Sequence, residues 1–299
     1  MTPTMTPTAA AATDTGLLRE HNEDRYWIDA ARGVFLVVDG VGGRAAGELA
    51  AQTAVETIRE SMSRPDSTAD RTAEARVRTA IAGANNRIYR LAQQDRELAG
   101  MACVLTLALV EDGRITIGHV GDSRLYLIWN GAIRKLTSDH SPVGEEEDAG
   151  SLSEEEAMLH PRRNEVFRDV GSRLRQVDDR DFIEIRHCPF RQDAALLLCS
   201  DGLTDHLTAA GIRAIAERYD GDPAVIAAEL VEAANQAGGK DNITALFVAG
   251  PKFRGPDGAT RPRLATTRQR PRSGPFSSRL AFLTYGVLLG ILLWVVLRS

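Results

Sequence analysis

Cysteine is scarce in this 299-residue chain, and Cys103, Cys188 and Cys199 show no CxxC spacing. An odd number so spaced excludes a disulfide framework or a zinc knuckle and points to reduced thiols in a cytoplasm. Aromatic residues reach only 5%, too few for platforms that stack single-stranded nucleic acid. Positive charge is not in excess: the formal net charge is −5, which argues against a duplex-binding protein. The chain has no internal repeat and no P-loop lysine pattern. Its start, MTPTMTPTAAAA, lacks the basic opening and long apolar run of a signal peptide. Residues 1–10 are therefore expected to form a disordered leader.

What is present is an ordinary globular balance, 43% hydrophobic and 26% charged, with an uneven distribution of charge. Residues 251–299 hold nine Lys or Arg against one acid, Asp257, which leaves 27 basic and 40 acidic residues in the rest. An acidic body thus precedes a basic tail. Leu280 to Leu297 is a run without one charged residue, and as a helix it would span about 27 Å, close to a hydrocarbon core of about 30 Å. Arg279 and Arg298 bracket it and Trp294 lies near one end, where an interfacial ring is favoured. Residues 280–297 are expected to be a transmembrane helix, and the Pro-, Gly-, Ser- and Arg-rich stretch 251–279 a flexible linker suited to anionic lipid. The positive-inside bias then places the body in the cytoplasm, tail-anchored to the inner membrane as a single-pass protein.

Residues 11–250 read as one α+β domain. Val34–Val38 is a continuous apolar run, the pattern of a strand buried on both faces. Residues 44–62 and 72–98 have helical spacing. Strands at 103–110 and 114–120 meet at Asp112-Gly113, and strands at 124–129 and 132–136 meet at Asn130-Gly131, both hairpin dipeptides. Further strands are expected at 181–187, 194–199 and 243–248, with helices near 208–218 and 222–236. Hairpins followed by helix pairs favour an antiparallel α+β sandwich over a doubly wound sheet.

Acidic residues gather at the expected strand ends: Arg19-Glu20-His21-Asn22-Glu23-Asp24, Asp39-Gly40, Asp122 with Asp201, and Asp241-Asn242. Each alone reads as turn chemistry. Together, Asp39 and Asp201 both close apolar strands, so their carboxylates should emerge at one rim, where like charges need a cation. Oxygen donors without Cys or His suit Mg2+ or Mn2+, and Gly40 lets a backbone carbonyl approach the ion. The stretch Gly40–Ala45 also fits G-x-G-x-x-A, but no second strand ending in an acid follows its helix, so a dinucleotide site is disfavoured.

RxxNED at 19–24, DGVGG at 39–43, GDSRLY at 121–126, LTSDHS at 136–141, CSDGLTD at 199–205 and GKDNIT at 239–244 occur in one family's order. Over residues 11–250 the chain resembles the bacterial metal-dependent Ser/Thr protein phosphatases, the protein phosphatase 2C type. The resemblance implies an antiparallel β-sandwich of two sheets flanked by helix pairs, in α-β-β-α layers, and Asp39 bridging two Mn2+ or Mg2+ ions. It implies that Gly40 gives a carbonyl to one ion, that Asp201 and Asp241 hold the other, and that Glu23 and Asp24 hold that side directly or through water. Arg19 would grip the substrate phosphate. Asp122, with Asp201, matches a weaker third metal site, to which Asp205 is an additional match. The implied reaction is direct attack on phosphorus by water activated between two metals, the cysteines standing by.

Two departures accompany this. Val41 stands where some relatives have a His after Asp-Gly, leaving the general acid unassigned, and Arg44 stands where bacterial relatives often have His. His119, His140, His160, His187 and His206 read as structural or exposed. The acidic stretch Glu145–Asp148, with Ser153–Glu156 opening a helix, reads either as a solvated loop with a capped helix start or, by the resemblance, as a flap over the site. The expected partners are phosphorylated proteins, a bacterial Ser/Thr kinase or its substrates, and the membrane, with no nucleic acid. The alternatives are a catalytically idle membrane adaptor and a regulatory phosphatase dedicated to one phosphoserine protein of a sigma-factor switch.

Overall fold

In the computed structural model, residues 6–42, 46–64 and 72–255 are described. The expected linker beyond 255, the apolar run 280–297 and Arg44 lie outside them. Among the described residues no helix is long and apolar enough to cross a membrane.

Ten strands form two antiparallel five-stranded sheets. The first contains, in spatial order, β1 (Thr8–Asp14), β10 (Ile243–Ala249), β9 (Ala195–Cys199), β6 (Arg124–Trp129) and β7 (Ala132–Lys135). The second contains β2 (Arg25–Asp29), β3 (Val34–Val41), β4 (Ala102–Glu111), β5 (Arg114–Val120) and β8 (Glu184–Pro189). The two-residue turns at Asp112-Gly113 and Asn130-Gly131 have positive φ at both positions (48° and 72°, 52° and 71°), the hairpin geometry those dipeptides favour.

Side-chain alternation sorts the strands into three cores. Phe35 and Val37 of β3, Leu196 and Leu198 of β9, and Leu246 and Val248 of β10 meet between the sheets. The other face of β3, with Leu36 and Val38, packs on α1 (Ala46–Ser63) and α2 (Ala73–Gln94). The other face of β9 and β10, with Leu197 and Phe247, packs on α6 (Ala209–Ala216) and α7 (Pro223–Gln236). A period of two therefore produces four layers, α-β-β-α, from sequences that bury both faces.

Three local expectations change. Thr8–Asp14 is an edge strand paired along its length with β10, so residues 8–10 are not part of a disordered leader. Its alanines have too little bulk to announce a strand, yet Ala9 and Ala11 pack on the inter-sheet core and Ala12 on the helix-side core. The strand expected at 181–187 begins at Glu184, because Phe182 and Ile183 turn into the core beneath α2 instead of joining the ladder. At the far end, Phe253 is buried against Tyr219 and Phe247, which extends the folded unit past residue 250. A strand unforeseen in the sequence, β2, leads directly out of the Glu23-Asp24 pair.

Candidate metal centre and phosphate site

The register brings the dispersed carboxylates to one end of the sandwich. Cys199 lies opposite both Arg124 and Ala245, so Asp122, Asp201 and Asp241 all leave the first sheet at the same rim. In the second sheet Asp39 is opposite Val104 and Gly40 opposite Cys103, near the end of β3. Asp24 immediately precedes β2, which pairs with β3. Asp24 is buried and the other four are half-buried.

Burial and mutual repulsion act together on these groups. Desolvation, then the charges of Asp24, Asp201, Asp122 and Asp241, pushes the Asp39 carboxyl well above its ordinary range. Asp201 is raised likewise, by burial and then by Asp122, Asp205 and Asp241. Burial pushes Asp24 up to about 6, and burial with Asp139 pushes Asp122 up to about 7. Glu23 is also raised, chiefly by burial. Asp24 Oδ2 accepts a hydrogen bond from Ser200 Oγ at 2.7 Å, and Asp24 Oδ1 is buried with no hydrogen-bond partner among the described residues. An orphaned buried carboxylate oxygen beside several repelling carboxylates fits hard divalent cations held by oxygen donors.

Arg19 is half-exposed and donates a 2.6 Å hydrogen bond from Nη2 to Asp241 Oδ2. Sequence reasoning gave these two residues separate tasks, and the fold puts them in contact. Asn242, next to Asp241, organises the loop that carries Arg19. Its Nδ2 donates to the Thr15 and His21 carbonyls, 2.9 Å each, and its Oδ1 accepts from Glu23 N at 2.8 Å. Three bonds from one buried amide thus fix the segment from Thr15 to Glu23. Asn242 was visible as a turn residue and as part of the motif at 239–244, with no role assigned to it. Gly47 in the first turn of α1 was missed altogether: a Cβ there would overlap Glu23 Oε2, and one at Gly40 would overlap the Gly47 carbonyl oxygen. The only signal in the sequence was a glycine inside a helical pattern.

The acidic stretch proves to be ordered cover, with features of both readings. α3 (Pro142–Asp148) is tied down where Arg124 donates to Asp139 Oδ2 and Glu147 Oε2, and where Lys135 pairs with Asp148. α4 (Glu154–Met158) starts with a capping box between Ser153 and Glu156. Glu154 accepts from Ala209 N at 2.7 Å, and Arg163 donates to Asp205 at 2.7 Å. Between this cover and the core lies a cavity lined by Asp122, Glu147, Glu154, Arg163, Asp201 and Asp205. The Asp205 match to a third metal site is thus paired with a cation of the chain itself.

The histidines lie apart from the carboxylates in role. His119, His140 and Glu184 bring one ligand atom each within 4.8 Å of one another. Their hydrogen bonds speak against a cation there. Gly121 N donates to His140 Nδ1 at 3.0 Å, and Arg168 Nη1, which can only donate, lies 3.1 Å from Nε2, so both ring nitrogens already face N–H groups. Ligation through Nε2 would bring a cation against the Arg168 guanidinium and leave a proton on Nδ1 facing the Gly121 N–H. Burial, His119 and Arg168 push His140 down to about 3, which keeps the ring neutral. Cys103 and Cys199 are buried with raised thiol pKa values, Cys199 up to about 12, and are inert bystanders.

Known proteins resemble this chain in sequence and fold. The model of the family described as protein phosphatase 2C matches residues 18–236. The serine/threonine phosphatase Stp of Listeria welshimeri is 35% identical over 247 residues, covering 79% of this chain and 93% of its own. The solved serine/threonine phosphatase PstP of Mycobacterium tuberculosis superposes with a TM-score of 0.72 at 29% identity, over 83% of this chain and 99% of that one. Stp1 of Staphylococcus aureus superposes with a TM-score of 0.73 at 31% identity, over 83% and 97%. The chain belongs to the protein phosphatase 2C family. It is an enzyme of that class, a serine/threonine protein phosphatase and metal-dependent hydrolase.

Proposed function

We propose that this chain hydrolyses phosphoserine and phosphothreonine in proteins at a centre of two Mn2+ or Mg2+ ions, on the cytoplasmic side of a membrane. The observation that carries this reading is the buried, partnerless Asp24 Oδ1 among carboxylates that raise one another's pKa. Asp39 faces the charges of Asp24 and Asp201 alike, which suits it to bridge the ions. Gly40 would give its carbonyl, Asp201 and Asp241 would hold the far side, and Glu23 and Asp24 would complete it. Asp122, with Asp201, lines the adjoining cavity and would hold a third, weaker ion. Bound there, the ions would acidify a water and offset phosphoryl charge. The solved catalytic domain of PstP, 29% identical over 82% of this chain with a TM-score of 0.71, is a complex with two manganese ions.

Arg19 sits at the exposed edge of this pit with a guanidinium able to grip two phosphoryl oxygens. Asp241 and the Asn242 staple orient it before substrate arrives, which lowers the ordering cost of binding. The uncharged run Leu280–Leu297 and its basic approach support a membrane tether. Tethering would raise the local concentration of a membrane Ser/Thr kinase or that kinase's targets.

The test is hydrolysis of p-nitrophenyl phosphate and a phosphothreonine peptide by the full chain, with Mn2+ or EDTA, beside Asp39→Asn. Turnover that requires metal and is lost in Asp39→Asn is expected. Turnover insensitive to EDTA overturns the metal mechanism, and a folded but inert wild type supports the idle adaptor instead. Recovery of the full chain from membranes by detergent and not by salt is the matching test of the tether.

A further inference from the structure

Two leucines on the loop that carries Arg19 are displayed to solvent, Leu17 touching the Gly239 backbone with one edge of its side chain. Leu17 and Leu18 are 65% and 71% exposed and belong to none of the three cores. The loop under them is firmly held. Leu17 N donates to the Gly239 carbonyl at 2.7 Å, Gly16 N donates to Asp14 Oδ1 at 2.9 Å, and Asn242 holds Thr15 and His21. Gly16, at φ 78°, lies so close to the Asp241 backbone that a Cβ would overlap its carbonyl oxygen. Loop mobility does not account for the exposure. A fixed loop displays two adjacent apolar side chains next to the arginine at the acidic pit.

Consecutive Cα atoms stand about 3.8 Å apart in this loop and in any bound peptide alike. Leu18 and Leu17 directly precede Arg19, so the residues flanking a phosphoresidue held by Arg19 come within reach of them. Large exposed apolar side chains beside a binding centre lower the free energy when a partner's apolar side chain covers them. We propose that Leu17 and Leu18 are specificity-determining residues that select phosphoproteins with a leucine-sized apolar side chain adjacent to the phosphoserine or phosphothreonine. The proposal rests on the phosphatase reading above and names the substrate class of that same site.

The test compares full-length wild type, Leu18→Ser, Leu17→Ser/Leu18→Ser and the volume-conserving Leu18→Met. Substrates are phosphothreonine peptides with Leu, Ser or Lys on either side of the phosphoresidue, and p-nitrophenyl phosphate, which has no flanking residue. Wild type is expected to favour the Leu-flanked peptide about tenfold in kcat/KM, mainly through KM. That ratio should fall to about twofold in both Ser variants and persist in Leu18→Met, with thermal melts confirming folding. Equal rates on all three peptides, or a preference that survives both Ser variants, overturn the proposal while the phosphatase reading stands. Wild type inert on p-nitrophenyl phosphate and on every peptide overturns both. Sedimentation at two concentrations covers the rival occupant: a dimer lost in Leu18→Ser, with peptide preference unchanged, assigns the leucines to a second copy and overturns the proposal.

Discussion

Ser200 donates its hydroxyl to Asp24 Oδ2 at 2.7 Å and accepts from Thr244 N at 2.9 Å. One buried hydroxyl thereby joins the residue after β9, the carboxylate ahead of β2 and the strand β10. The two sheets are linked at the rim where the metal carboxylates converge. Replacing Ser200 by Ala removes the donor that favours the ionised form of Asp24 and leaves a buried N–H without its acceptor. A loss of about 1–3 kcal/mol in urea unfolding is expected, with weaker Mn2+ binding by calorimetry. Unchanged stability and affinity would show that the linkage is incidental.

The pH dependence of stability follows from the raised carboxyls. Asp24 at about 6 and Asp122 at about 7 hold protons in the folded state that the unfolded chain releases near pH 4. Their neutral forms are compatible with burial at low pH, and the penalty grows as pH rises through the folded values. Without metal, the melting temperature should therefore fall from about pH 4 to about pH 7 once other titrations are matched with Asp122→Asn. Mn2+ binds the ionised carboxylates, so the stabilisation it adds should increase over the same interval. Melting curves in EDTA and in Mn2+ across this range check both signs.

Gly47→Ala separates helix propensity from site geometry. Alanine gains roughly 0.5–1 kcal/mol over glycine inside a helix, but here its Cβ displaces the Glu23 carboxylate. The variant should keep its melting temperature within a few degrees and lose about three- to tenfold in Mn2+ affinity. Titration calorimetry beside a thermal melt distinguishes this from general unfolding.

Arg19→Lys keeps the charge and removes the planar fork. Catalytic efficiency on phosphopeptides should fall about ten- to a hundredfold, since a lysine cannot reproduce bidentate contacts to phosphate. The pairing with Asp241 predicts a further effect, altered Mn2+ affinity when the guanidinium leaves. Steady-state kinetics at several Mn2+ concentrations measure the two effects separately.

Asn242→Ala removes three hydrogen bonds from the Thr15–Glu23 segment. The expected result is a loss of about 2–4 kcal/mol together with faster hydrogen exchange confined to that loop and its surroundings. Exchange that accelerates uniformly would instead mark Asn242 as a general stability residue.

Much of this molecule is local in origin. The Asp112-Gly113 and Asn130-Gly131 turns, the run Val34–Val38 and the capping box at Ser153 depend on residues a few positions apart, so sequence pattern is enough to place them. Asp39 and Asp201 were legible for the same reason, each closing an apolar run whose burial is set by its own composition. The strand Thr8–Asp14 was not legible, because alanines become a strand here only by pairing with β10, over 200 residues away. Phe182 and Ile183 left the expected strand because a core beneath α2 claimed them.

The sequence by itself determined the antiparallel α+β sandwich and the oxygen-rich donor set, while Arg19 entered only through the family resemblance. The first two follow from hydrophobic period, turn chemistry and residue type, which act over one or two turns of chain. Only the tertiary structure decided that Arg19 meets Asp241, that Ser200 serves Asp24, that Asn242 fixes the loop and that Gly47 must lack a side chain. These are contacts between groups tens to hundreds of residues apart. Strand register sets them, and register is a property of the whole sandwich, fixed by its three cores together.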